Sequence, residues 1–135
     1  MQGLPTRALF PFVFIRGYVL SDFTMQIHEE RQGAVTVLKP AGPLTQADAD
    51  QLKQRLEKVR GANLGRLVLD VSAVPYVDSR GLEALVEVHD EMAQSGQSLK
   101  LCGVNETLRE VLDLTELAGL FEQYEDAGSA VRSFL

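Results

Sequence analysis

The chain has 135 residues, 45% of them hydrophobic and 24% charged, which fits one globular domain and excludes collagen-like, disordered and disulfide-scaffold classes. Its formal net charge of −6, with no cluster of Lys or Arg, sets an unfavourable field against nucleic-acid binding.

Residues 1–24 stand apart from the rest. The run Leu9-Phe10-Pro11-Phe12-Val13-Phe14-Ile15 is dense in apolar and aromatic side chains, has no amphipathic period and is interrupted at Arg16. It is shorter than the roughly 20 apolar residues of a membrane span, so direct membrane insertion is not expected, and no Ala-x-Ala cleavage site marks a signal peptide. Two readings stay open: residues 1–24 are an extra strand or arm packed on the domain or on a second copy, or the protein starts at Met25. In either case the domain covers residues 25–135, opening with Met25-Gln26-Ile27-His28-Glu29-Glu30.

Ala34-Val35-Thr36-Val37-Leu38 is a β-branched strand ended by Lys39-Pro40-Ala41-Gly42-Pro43. After Thr45, a candidate N-cap, Ala49, Leu52, Leu56 and Val59 recur at helical spacing and predict an amphipathic helix that stops near Gly61. Leu67-Val68-Leu69-Asp70-Val71 is a nearly unbroken apolar run, as expected of a strand covered on both faces at the centre of a sheet. Leu82, Leu85, Val86, His89 and Met92 mark the inner stripe of the next helix, with Glu83, Glu87, Asp90 and Glu91 on the outer face and Ser95-Gly96 as the stop.

A further strand follows at Leu99-Lys100-Leu101-Cys102-Gly103-Val104. Asn105 then caps a helix with Leu108, Val111 and Leu112 inside, finishing near Leu117-Ala118-Gly119. Leu120 to Tyr124 form the last strand, and Asp126 caps a terminal helix with Ala127, Val131 and Phe134 on one side. The order is that of an α/β domain with a largely parallel sheet whose first two strands form a hairpin.

Cys102 is the only cysteine, so no intramolecular disulfide or cysteine-based zinc cluster can form. It reads as a core residue and fits a reducing compartment. His28 and His89 share no ligand spacing, so no metal site is expected. His89 reads as a hydrogen-bonded histidine at the core boundary. The Gly-rich spacings of phosphate-cradling loops are absent, and no general base accompanies the serines at 72 and 79. Neither a cofactor nor an enzymatic activity is expected.

One stretch carries a family resemblance. Leu67-Val68-Leu69-Asp70-Val71-Ser72-Ala73-Val74-Pro75-Tyr76-Val77-Asp78-Ser79-Arg80-Gly81-Leu82 resembles the signature of STAS domains: an apolar strand ending in Asp-x-Ser, a fixed-length connector, then Asp-Ser-x-Gly-Leu opening a helix. Gly42-Pro43-Leu44 and Leu114-Thr115-Glu116-Leu117-Ala118-Gly119-Leu120-Phe121 are similar to other family segments. The resemblance extends from Met25 to Leu135. It implies a single STAS-like domain, a mixed and largely parallel sheet with about four helices packed on it.

The resemblance further implies a cytoplasmic anti-sigma-factor antagonist, a protein-binding switch whose Ser79 is phosphorylated by a partner anti-sigma kinase. Thr45, Asp78, Ser79, Arg80, Gly81 and Leu82 would meet the partner, with Asp70 and Ser72 as structural parts of the motif. Thr45 stands where the antagonists commonly carry Asp, and Arg80 where a small residue is frequent. The alternatives are a constitutive STAS subunit docked on the ATPase of an ABC-type phospholipid transporter, or a self-associating homodimeric scaffold of a sensory complex.

From the residues alone, Asp78 or Ser79 could equally be the N-cap of the helix. A phosphate at Ser79 would be favoured by the helix N-terminus and Arg80, opposed by Asp78, and would repel an acidic partner surface. Gly81 marks a place where another backbone or a phosphate comes close, or where the first helical turn is crowded.

Overall fold

The computed structural model describes residues 25–135, and the expectations for residues 1–24 lie outside the described residues. Gly33, with φ of 65°, turns the chain between β1 (Gln26–Gln32) and β2 (Val35–Ala41), which pair antiparallel as a hairpin. The remaining elements are α1 (Gln46–Asn63), β3 (Leu67–Asp70), α2 (Ser79–Ala93), β4 (Lys100–Cys102), α3 (Glu106–Leu114), β5 (Glu122–Tyr124) and α4 (Ala127–Arg132), with a short 3-10 turn at Ala118–Leu120. The sheet order is β1-β2-β3-β4-β5, and β2 to β5 are parallel neighbours. This is the mixed, largely parallel sheet with four helices that the sequence predicts.

β3 lies at the centre, and its alternation explains the unbroken apolar run. Leu67 and Leu69 join Leu38 and Leu101 in the main core, together with Leu52 and Leu56 of α1, Leu85, Val88 and Met92 of α2, and Leu108 and Leu112 of α3. Val68 faces the other way with Val35, Val37 and Cys102, where α4 covers the sheet through Ala130, flanked by Ala127, Val131 and Phe134. Both faces are therefore dry at β3, and the burial of Cys102 follows from its place on the second face. Among the described residues β1 is an edge strand, and its Glu29, Glu30 and Arg31 are exposed, charges that discourage pairing with another chain.

Two helix stops differ from expectation, and for one reason. α1 runs through Gly61 to Asn63, and α3 ends at Leu114 instead of near Gly119. Each closes by a bond back over the last turn, Gly65 N–H to the Arg60 carbonyl (3.0 Å) and Leu117 N–H to that of Leu112 (2.9 Å). The left-handed residue required there is normally Gly. Here it is Leu64 (φ 56°) and Glu116 (φ 60°), so neither glycine marks the stop.

Candidate functional site

β2 and β3 end at the same edge of the sheet, and the loops beyond them stay hydrogen-bonded to each other. Gly42 N–H donates to the Ala73 carbonyl (3.0 Å), Leu44 N–H to that of Tyr76 (3.0 Å), and Asp78 N–H to that of Leu44 (3.1 Å). Leu44 and Val77 form a parallel bridge. These bonds set the N-termini of α1 and α2 side by side beyond the carboxyl ends of the strands, where open α/β sheets bind their ligands.

The Asp-x-Ser part of the motif turns the chain out of the sheet. Asp70 Oδ1 accepts the Ser72 N–H at 3.0 Å, a local turn that ends β3. Gly103, with φ of 71°, lies against this turn, and a Cβ on it would stand 2.8 Å from the Ser72 Cβ. Asp70 and Ser72 are thus built into the turn leading toward the helix mouth.

Asp78 is the N-cap of α2, its Oδ1 accepting the Gly81 N–H at 2.8 Å. Its Oδ2 accepts the first N–H of α1, that of Gln46, at 2.9 Å. Thr45 occupies the N-cap position of α1, but its hydroxyl makes no capping bond. Asp78 thus satisfies one of the four N–H groups left without a partner at the start of α1, because the loop pairing carries its carboxylate across. These donors, Gly81 first, hold the Asp78 carboxyl below its ordinary value.

Ser79 is the first residue of α2 and is exposed. Since Asp78 does the capping, the Ser79 hydroxyl is not committed to the helix. Arg80 is held by three carboxylates: its guanidinium lies 2.5 Å from Asp50, 3.1 Å from Glu83 and 3.6 Å from Glu87. The α1–α2 seam continues with Lys53 at 3.2 Å from Glu87 and Arg60 at 3.6 Å from Glu91. The acidic face of α2 is therefore partly spent on α1, and a phosphate on Ser79 would compete with these carboxylates for Arg80. An acidic partner would already meet like charge here before any modification.

Gly81 settles between its two sequence readings. A Cβ on it would stand 2.5 Å from the backbone oxygen of Leu44 and 2.9 Å from Leu44 Cγ, so the glycine admits a neighbouring backbone. That close approach rotates α2 so that Gly81, Ala84, Leu85, Val88, His89 and Met92 are buried. Leu82 and Val86 move to the edge of the stripe, where with Leu117 they are only partly covered. They line a shallow groove together with Gln46, Ser79, Arg80, Glu83 and Glu87. Gln46 and Leu117, which line the groove, and Asp50, which pairs with Arg80, lie outside the local motif and only the fold brings them to this site, whereas Val86 stands on α2 itself, two helical turns beyond Ser79.

His89 is buried as expected, yet its Nδ1 has no hydrogen-bond partner among the described residues. Its ring packs edge-on against Phe121, with 5.5 Å between centroids. Packing rather than a hydrogen bond holds it at the boundary. Among the described residues no helix is long and apolar enough to cross a membrane.

Residues 26–130 match the sequence model of the STAS domain. The chain belongs to the STAS domain family. It is 22% identical over 108 residues to the anti-sigma F factor antagonist of Paenibacillus polymyxa, covering 79% of this chain and 92% of that one. The crystal structure of an anti-sigma factor antagonist from Mycobacterium paratuberculosis shares the STAS fold at a TM-score of 0.71 and 22% identity, over 83% of this chain and 95% of that one. The phosphorylated form of the Bacillus cell fate determinant SpoIIAA does so at a TM-score of 0.62 and 14% identity, over 82% and 100%.

Proposed function

We propose that this STAS protein is a cytoplasmic anti-sigma-factor antagonist that binds an anti-sigma serine kinase and releases it when Ser79 is phosphorylated. It works as a binding module and not as a catalyst. The observation that carries the reading is the division of labour between neighbours: Asp78 caps α2, and Ser79 is left exposed at the helix mouth. The names of the relatives support the general role.

Added charge would act through the groove. A phosphate carries about −1.5 to −2 charges near neutral pH, and the α2 N-terminus would stabilise it by only about 0.3–1 kcal/mol. Leu82 and Glu83 follow Ser79 at the spacings that place side chains on one helical face. A partner that covers Leu82 and Val86 would have to desolvate that phosphate, at a cost of several kcal/mol. Each ~1.4 kcal/mol is a tenfold loss of affinity, so one modification suffices to abolish binding without a change of fold.

The test is phosphopeptide mass spectrometry after incubation with the host's anti-sigma kinases and ATP, combined with pull-downs. Ser79→Ala is expected to bind and Ser79→Asp to fail. Equal binding by both variants excludes the charge switch, and co-purification with an ABC-type ATPase would assign the protein to transporter docking instead.

A further inference from the structure

We infer that the groove beside Ser79 receives an apolar side chain from a basic segment of the partner, an inference that rests on the reading above. The floor is apolar: Leu82, Val86 and Leu117 are half-covered by the rest of the domain. Burying such side chains is the usual source of affinity at the centre of an interface. The surroundings are acidic: the Asp50 side chain is 71% exposed, that of Glu83 60% and that of Glu87 38%. Glu83 and Glu87 line the groove, and Asp50 reaches it through its ion pair with Arg80, so three carboxylates stand against the two cations Arg80 and Lys53 that they share. The excess is negative and two of its carboxylates, Glu83 and Glu87, line the same groove as the apolar floor, where salt screens it only beyond about 8 Å.

Charge complementarity therefore selects the occupant. A Lys- or Arg-bearing segment gains from Glu83 and Asp50 while its apolar anchor covers Leu82 and Val86, whereas an acidic segment is repelled. The anchor and a phosphate on Ser79 would compete for the space over Leu82, one helical turn beyond Ser79. Exclusion from this groove is thus a matter of occupancy and desolvation, and a basic partner is compatible with it.

The experiment is titration of the full-length, unphosphorylated protein with the host's purified anti-sigma kinase at low and high salt. Val86→Glu and the milder Val86→Ala are expected to weaken binding, the former by at least about tenfold, the scale of a central interface residue. Glu83→Lys is expected to weaken it by about tenfold at low salt, with the difference shrinking as salt rises. Glu110→Lys on the exposed side of α3 serves as the control and should bind as wild type, and thermal melting identifies any variant that fails to fold.

Tighter binding by Glu83→Lys, unchanged binding by a folded Val86→Glu, or a groove filled by a second copy, seen as a concentration-dependent mass sensitive to Val86→Glu, overturns the inference. If the contrast between Ser79→Ala and Ser79→Asp persists in that case, the switch reading stands and only the partner chemistry fails. If the groove variants act as expected while that contrast is absent, the groove stands and the switch fails. A kinase that binds no form of the protein overturns both.

Discussion

The Asp78 carboxylate reaches out of its own helix to accept the Gln46 N–H at 2.9 Å while holding the Gly81 N–H at 2.8 Å. One side chain therefore serves the N-termini of α1 and α2, and its loss would loosen both helix starts at the site. Asp78→Ala is expected to lower the melting temperature by several degrees and to accelerate amide exchange at Gln46 and Gly81 together. Exchange enhanced at Gly81 alone would show that the bond to α1 contributes nothing.

The same carboxylate has a pH signature. Its pKa is held below the ordinary 3.8 by the N–H groups it accepts, so its contribution to stability is fully present above that value and is lost as pH falls through the depressed folded value. Melting curves of wild type and Asp78→Asn should differ most near neutral pH and converge in the acid limb, below about pH 4. Comparing the variants isolates Asp78 from Glu122 and Asp126, whose carboxyls are lowered as well. Parallel curves throughout would remove Asp78 as the source.

Gly81→Ala places two effects in opposition. Helix propensity favours Ala by about 1 kcal/mol, but its Cβ would meet the Leu44 backbone oxygen at 2.5 Å, an overpacking that costs about 1–3 kcal/mol. Net destabilisation is expected in urea unfolding. Leu44→Ala should not rescue it, because the closest atom is backbone. A stabilised Gly81→Ala would mean that the two loops separate easily.

Leu64 has φ of 56° and is 70% exposed, a left-handed conformation that costs a side-chain-bearing residue roughly 1–2 kcal/mol. Leu64→Gly should therefore stabilise the protein, by about 0.5–1 kcal/mol after the entropy of glycine in the unfolded chain is counted. Glu116→Gly should act in the same direction at the end of α3. Chemical denaturation reads both, and a loss of stability in each would contradict the closure geometry.

Cys102 is fully buried, and burial first, then the nearby Asp70 and Asp126 carboxylates, push its thiol up to about 12. The thiolate is the reacting species, so iodoacetamide should leave the native protein almost unlabelled at neutral pH and label it readily in urea. Similar rates in both conditions, followed by intact mass, would show that the α4 face opens easily.

The sequence by itself determined the order of elements, because hydrophobic periodicity and capping are local. The alternation through Leu67, Val68 and Leu69 already implied a strand dry on both faces, and Asn105 and Asp126 cap the helices that follow them, through bonds to Leu108 and Ser129. Leu64 and Glu116 are not legible as helix ends, because glycine is the residue that normally marks left-handed closure and here side-chain-bearing residues adopt it.

Only the tertiary structure decided what the residues of the motif do. The bond from Gln46 to Asp78 spans 32 positions, as the loops after β2 and β3 are zipped together by the parallel sheet, and no spacing rule along the chain contains it. The same pairing gives the first N–H of α1 a partner on the other loop, presses Leu44 against Gly81, and leaves Leu82 and Val86 at the rim of the groove that Ser79 lines. Local chemistry specified the helix mouth, and the sheet register specified which second helix would share it.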